Sequence, residues 1–159
     1  MFNGLKLRVY QYAGSGNYFL DISARTAVIS ITLTTDGNVN FGTVALNASK
    51  DTTPSGINDP ENIRVDAGPA DLAIRSTDFS DGSNNWNLGT SSGSNQIKWD
   101  FSKDGSIWTN FAAAGTNYPF DSAVSEFDTR DLHLRLTLPT STLSNNAHSA
   151  TVTIVATTP

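Results

Sequence analysis

The chain has 159 residues, of which 16% are charged, and a formal net charge of −5 at pH 7. Soluble proteins have about 25% charged residues, whereas Ser, Thr, Asn and Gly here make up roughly 40% of the chain, which favours hydroxyl-faced strands joined by turns. The absence of cysteine excludes disulfides, thiolate metal ligands and thiol nucleophiles. The ten Lys and Arg residues are scattered and form no basic stripe, so we expect no nucleic-acid partner.

Residues 1–25 precede the main series of predicted strands. They contain two amphipathic stretches, Leu5 to Tyr12 and Asn17 to Ile22. In the first stretch an apolar, strand-like stripe consists of Leu5, Leu7, Val9, Tyr10 and Tyr12. Met1 leads directly into this alternation, so we expect neither an export signal nor a membrane-spanning segment. We predict an N-terminal arm or extra strand over residues 1–25 and a β-domain over residues 26–159.

From residue 26 onward, short blocks alternate apolar and polar residues, which is the period of a strand with one buried face. In chain order their apolar positions are Ile29, Ile31 and Leu33; Ile63 and Val65; Leu72 and Ile74; Ile97, Trp99 and Phe101; Leu132, Leu134, Leu136 and Leu138; and Val152, Ile154 and Ala156. Helical spacing is nearly absent. The pattern predicts nine or ten strands.

Turn-forming residue pairs separate these blocks. They are Asp36-Gly37, Gly68-Pro69, Asp81-Gly82, Asp104-Gly105 and Asn145-Asn146. The pair Asp104-Gly105 lies between two alternating blocks and predicts a hairpin. Short strands at this spacing, each with one polar face, predict an all-β fold of two packed antiparallel sheets. Residues 49–57 and 91–94 are predicted to be loops.

An ordered set of strand and turn motifs runs through residues 26–159. The set comprises Asn40-Phe41-Gly42-Thr43-Val44, Ile63 to Asp66, Gly68-Pro69-Ala70-Asp71-Leu72, Trp86-Asn87-Leu88-Gly89, Ser102-Lys103-Asp104-Gly105 with Trp108-Thr109, and Leu134 to Pro139 with Ala150 to Ala156. It resembles the immunoglobulin-like "FGTV" β-sandwich modules of bacterial surface and secreted proteins. The resemblance implies an immunoglobulin-like antiparallel β-sandwich. Members of such families usually begin with an export signal, and residues 1–25 depart from that pattern.

The chain offers little catalytic chemistry. Its two histidines, His133 and His148, fall in or beside predicted strands without a nucleophile elbow nearby, and we predict both to be surface residues. The acidic clusters are Asp59-Pro60-Glu61, Asp78 with Asp81, and Asp128 with Asp131. They match no spaced calcium loop and are typical of turns, and calcium binding is the less favoured alternative. We predict no catalytic residue, no metal site, no cofactor and no enzymatic activity.

The three tryptophans raise the possibility of carbohydrate binding, because sugar faces stack on exposed aromatic rings. Trp99 alternates with Ile97 and Phe101, which predicts a core position. Trp86 and Trp108 are the candidates for glycan stacking.

The apolar stripe of residues 1–25 has two interpretations. A spare amphipathic strand can pair with the open sheet edge of a neighbouring subunit, which would make the stripe a subunit-docking element. Alternatively, the strand folds back on its own domain as an edge strand. The first interpretation implies protein partners, either copies of the same chain or neighbouring structural subunits.

Three hypotheses for function follow. The favoured one is a non-enzymatic structural subunit on the outside of a virion, as a phage capsid decoration or tail-associated protein. One alternative is a secreted bacterial fibre, pilus or surface-layer subunit, and another is a carbohydrate-binding module. All three place the protein on a virion or an extracellular surface, without insertion into a membrane.

Overall fold

All regular secondary structure in the described part of the chain is β-strand, which confirms the all-β prediction. The computed structural model describes the backbone of residues 6–11, 18–23 and 28–159 and the side chains of residues 28–159. The strands are β1 (Lys6–Gln11), β2 (Tyr18–Ser23), β3 (Ser30–Leu33), β4 (Ser49–Asp51), β5 (Glu61–Ala67), β6 (Ala70–Ser76), β7 (Phe79–Ser80), β8 (Asn85–Gly89), β9 (Gln96–Ser102), β10 (Thr109–Asn110), β11 (Tyr118–Val124), β12 (Thr129–Thr137) and β13 (Val152–Thr157).

These strands form three sheets. The largest has eight strands in the order β3-β5-β12-β9-β8-β7, with β4 added along β12 and β10 added along β9. A three-stranded antiparallel sheet has the order β11-β6-β13, and β1 pairs with β2 in a two-stranded antiparallel sheet. Each alternating block of the sequence overlaps one of these strands, with Ile29 just before β3 and Leu138 just after β12. The prediction of a loop over residues 49–57 is wrong at residues 49–51, which form β4.

The prediction of antiparallel sheets is wrong for one pair, because β8 and β9 run parallel. Parallel neighbours usually need a crossover of a dozen or more residues. Only three residue pairs of β8 and β9 are in register, so the chain has to run back by roughly 10 Å from the end of β8 to the start of β9. The six residues 90–95 can span up to about 20 Å, and a short Ser- and Gly-rich loop is therefore long enough.

The hydrophobic core lies between the eight-stranded and the three-stranded sheets. Val65 and Ile97 from the large sheet and Ile74 and Val124 from the small sheet are fully buried. Trp99 is buried as predicted, with its ring 5.2 Å from that of Phe79 in an edge-to-face contact. Because both sheets contribute to one core, the body of the protein is a sandwich-like β-domain.

The second face of the large sheet is polar but also covered. Buried Asp100 accepts hydrogen bonds from the Arg135 guanidinium at 2.8 and 3.1 Å and from the Asn110 amide at 3.0 Å. His133 is only 8% exposed, so the prediction of a surface position is wrong for this histidine. The turn at Gly105 lies against the His133 ring, and local alternation does not report such a covering turn.

The predicted hairpin at Asp104-Gly105 is confirmed, since β10 pairs with β9 immediately after the turn. The Asp104 carboxylate accepts hydrogen bonds of 2.8 Å from the N–H groups of Ile107 and Ser106 and from the hydroxyl of Ser102. These bonds lower the pKa of Asp104 to about 2. Gly105 takes a positive φ of 68°, which glycine adopts without strain.

Two matched leucine substitutions test the core. Leu132 is 2% exposed and Leu143 is 81% exposed. We expect Leu132→Ala to lower the free energy of unfolding by about 2–5 kcal/mol, since it leaves a cavity in the core. Leu143→Ala should change this free energy by less than about 0.5 kcal/mol. Urea unfolding followed by circular dichroism measures both, and equal losses would contradict the buried position of Leu132.

The Asp104 turn predicts a pH dependence of stability. Folding lowers the pKa of this carboxyl from 3.8, so its ionised form stabilises the fold above about pH 4. This contribution is lost as the pH falls through about 2. We expect the urea midpoint to fall on acidification less steeply in Asp104→Asn than in the wild type. Asp59→Asn, outside the hairpin, is the control, and parallel pH curves for the wild type and Asp104→Asn would refute the expectation.

Candidate functional site

A groove with a volume of about 880 Å³ opens beside the core. The lining includes leucines of β12, the rings of Trp99 and Phe79, residues 37–44, residues 145–152 and Ile154. Its partly exposed apolar side chains are Leu33, Val39, Phe41, Val44, Leu46, Val152 and Ile154. The groove is therefore a place where the core is incompletely covered.

Residues 39–44, which contain the "FGTV" motif, cover part of the groove without forming a strand. The Phe41 ring packs edge-to-face on Trp99 at 5.8 Å. The backbone is held by side chains, since the Lys50 ammonium donates to the Phe41 carbonyl at 2.7 Å and the Gly42 N–H donates to the Asn40 side chain at 2.8 Å. Among the described residues, this segment makes no hydrogen bond between backbone groups.

Strand β13 borders the same groove and is the end strand of the three-stranded sheet. It pairs with β6 in continuous register, from Val152 opposite Ser76 to Thr157 opposite Asp71. Its sequence, Val-Thr-Ile-Val-Ala-Thr, has no charged residue and no proline. All its apolar side chains are partly exposed, whereas Leu72 and Ile74 of the neighbouring β6 are buried. The outer edge of β13 thus has no partner among the described strands, carries no charge and is six residues long.

The other end strands of the eight-stranded and three-stranded sheets carry features that discourage pairing. Strand β11 contains Pro119 and two shifts of register. Strand β3 is four residues long and has a register shift at its start, and β7 is only two residues long. Natural proteins use prolines, bulges and short strands to block edge-to-edge association. The β13 edge has none of these features.

A polar cluster lines one part of the groove. Trp86 is 8% exposed and donates from its indole N–H to the Thr142 hydroxyl at 2.7 Å. The imidazole of His148 stacks on its ring, with centroids 3.7 Å apart and planes 12° from parallel. His148 is therefore only partly exposed. The contact joins residues 62 positions apart, and no local pattern in the sequence could have predicted it.

Asp81 holds this cluster in place. Its carboxylate accepts a 2.5 Å hydrogen bond from the Ser144 hydroxyl and bonds from the backbone N–H groups of Asn84 and Ser83. These bonds hold the pKa of Asp81 well below its ordinary value. The carboxylate also accepts a bond from the Asn146 amide at 3.2 Å, and so fixes the segment that carries His148.

Trp108 lies elsewhere, on the face of the large sheet away from the groove. The Arg135 guanidinium stands 4.3 Å above its ring centroid, in a cation–π contact. The two candidate tryptophans therefore do not form one platform, and one ring face of each is occupied by another side chain. Glycan stacking at Trp86 or Trp108 stays a prediction.

The candidate docking residues lie in the N-terminal part of the chain. Leu5 and Tyr12 fall outside the described residues, whereas Leu7, Val9 and Tyr10 belong to the backbone of β1. Strand β1 pairs antiparallel with β2, with Leu7 opposite Ile22 and Val9 opposite Leu20. Sequence reasoning recognised both stretches but did not predict that they form a hairpin. Their docking role stays a prediction.

Comparison with protein-family models, curated proteins and solved structures found no match. In residues 6–11, 18–23 and 28–159, no helix is long and apolar enough to cross a membrane. The same residues contain no group of three His, Asp or Glu side chains placed to hold a metal ion. Function is therefore inferred from the groove and the β13 edge.

The stack of His148 on Trp86 can be tested by substitution. An aromatic pair contributes about 0.5–1.5 kcal/mol beyond area burial. We expect His148→Ala to lower the free energy of unfolding by about 1 kcal/mol and His148→Phe, which keeps a ring at this position, to recover most of that loss. Urea unfolding measures both, and an alanine variant as stable as the wild type would show that the stack contributes nothing.

Proposed function

We propose that this chain is a non-enzymatic structural subunit whose immunoglobulin-like β-sandwich joins other subunits in a larger particle. The observation that carries the proposal is the free edge of β13. A six-residue strand without charge, proline or bulge presents backbone donors and acceptors that have no partner among the described residues, next to a partly apolar groove. Such an edge is a template for strand addition, and monomeric proteins normally block it.

The polar groups of the body support a structural role. Buried Asp100 is paired with Arg135, Asp104 closes a hairpin turn, and Asp81 ties Ser144 to the adjacent turn. Each of these carboxylates is already engaged by donors from the fold, which accounts for its position without substrate chemistry. Catalytic groups, in contrast, need a free functional atom directed at a substrate site.

The favoured particle is the exterior of a virion, where the subunit would decorate a capsid or belong to a tail. A secreted fibre, pilus or surface layer is the alternative. Contacts between two different surfaces of one subunit close into rings or extend into filaments, depending on the rotation between neighbours. Electron microscopy of the assembled chain distinguishes the two, because closed oligomers suit decoration of a shell and open filaments suit a fibre.

The mass of the native particle tests the proposal. We expect the purified chain to form oligomers whose mass is a multiple of 17.0 kDa, and the oligomer fraction to rise with concentration. Analytical ultracentrifugation over a hundredfold range of concentration measures this. A monomer across the whole range would overturn the proposal of self-assembly.

A further inference from the structure

We infer that the free edge of β13 and the adjoining groove receive the N-terminal hairpin, β1 with β2, of a second copy of the chain. This inference rests on the proposed function as a self-assembling subunit and names the two surfaces that meet. The hairpin would continue the small sheet from three strands to five, over the uncovered apolar part of the eight-stranded sheet.

The hairpin has the pattern that such an edge requires. Directly opposed residues of an antiparallel pair share one face of the sheet. The register of β1 and β2 therefore places four apolar positions on one face, namely Leu7, Val9, Leu20 and Ile22. The alternating positions Lys6, Arg8, Asp21 and Ser23 share the other face with the aromatic positions Tyr10 and Phe19. The first face has no charged position, and it is therefore the face that suits the groove.

The lengths of the strands agree. Strands β1, β2 and β13 each have six residues. Either hairpin strand can therefore pair with β13 over its whole length. Main-chain hydrogen bonds along the edge would supply affinity, and the alternate side chains that face the groove would supply specificity.

The charges of the two parts are complementary. Residues 1–25 contain three basic residues and one acidic residue, Asp21, which gives a formal charge of +2. Residues 26–159 contain the other seven basic and fourteen acidic residues, which gives −7, and the two values add to the −5 of the whole chain. Of this charge, β1 and β2 carry +1, from Lys6, Arg8 and Asp21, and Arg25 follows β2. The basic N-terminal part is thus attracted to the acidic body, and salt should weaken that attraction.

A second copy, and not the same chain, is the occupant that fits the sheet arrangement. Within one chain the hairpin forms a two-stranded sheet of its own, and β13 pairs only with β6 among the described strands. The hairpin and the edge are therefore two separate surfaces of one subunit. Each copy can place its hairpin on the β13 edge of one neighbour and receive the hairpin of another neighbour on its own β13 edge. Assembly can therefore continue from subunit to subunit.

Substitutions on both sides of the contact test the inference. Val155→Lys places a charge on the β13 edge, and Leu7→Asp with Val9→Asp places charges on the apolar face of the hairpin. We expect each variant to raise the dissociation constant of the oligomer at least about tenfold, which corresponds to about 1.4 kcal/mol. Ile107→Lys is the control. This β-branched residue is 77% exposed in the turn between β9 and β10, and it does not line the groove. It should assemble like the wild type.

A peptide experiment separates loss of assembly from loss of folding. A chain lacking residues 1–25 should be monomeric and should bind a synthetic peptide of residues 1–25 at one peptide per chain, more weakly as salt increases. In the variant with Leu7→Asp and Val9→Asp, the body, residues 26–159, should unfold at the same urea midpoint as in the wild type. Its failure to assemble then cannot be ascribed to unfolding.

The outcomes distinguish the inference from the proposed function. If the wild type assembles and the truncated chain and Val155→Lys assemble equally well, the inference is wrong while self-assembly stands. If the wild type is monomeric yet the truncated chain binds the peptide, the hairpin occupies its own β13 edge and the second-copy assignment is wrong. A truncated chain that binds no peptide would also overturn the inference.

Discussion

The fold depends on the burial of one face of β12. Leu132, Leu134 and Leu136 all lie on this face because side chains along a strand alternate between its two sides, and all three are buried. Each fully buried leucine contributes about 1.5–3 kcal/mol from removal of its apolar surface from water. The same alternation places His133 and Arg135 on the opposite face, where the turn at Gly105 lies against His133. A slip of one residue would exchange the two sets of side chains, so the hydrophobic pattern fixes the register.

The unequal size of the two facing sheets explains the groove. Three strands cannot cover the whole apolar face of a sheet of eight, and residues 39–44 cover part of the remainder without joining either sheet. The result is a groove with an apolar part, beside a strand whose outer edge has no partner in the described residues. The surface proposed for assembly therefore arises from the same packing that forms the core.

Carboxylates stabilise the connections that surround this core. Asp81 and Asp104 accept hydrogen bonds from backbone N–H groups of their own turns, which keeps both ionised and fixes the turn geometry. Asp121 of β11 is different: burial tends to raise its pKa, but hydrogen bonds from Lys103 and Arg130 lower it overall. Of these carboxylates, Asp81 is the one that orders a segment of the groove, through its hydrogen bonds to Ser144 and Asn146.

The sequence by itself determined the alternating strands β3, β5, β6, β9, β12 and β13, the apolar face of each and the hairpin at Asp104-Gly105, because period-two alternation and turn residues act over neighbouring positions. It predicted nine or ten strands and missed short ones such as β4, which lies in a predicted loop. It also singled out the amphipathic stretches of the N-terminal part. Only the tertiary structure decided that β8 and β9 run parallel, that His133 is covered, that His148 stacks on Trp86 and that β13 ends its sheet. These features join residues far apart in the chain. Local alternation shows which face of a strand is apolar, but it does not show which other part of the chain packs on that face or whether any part does.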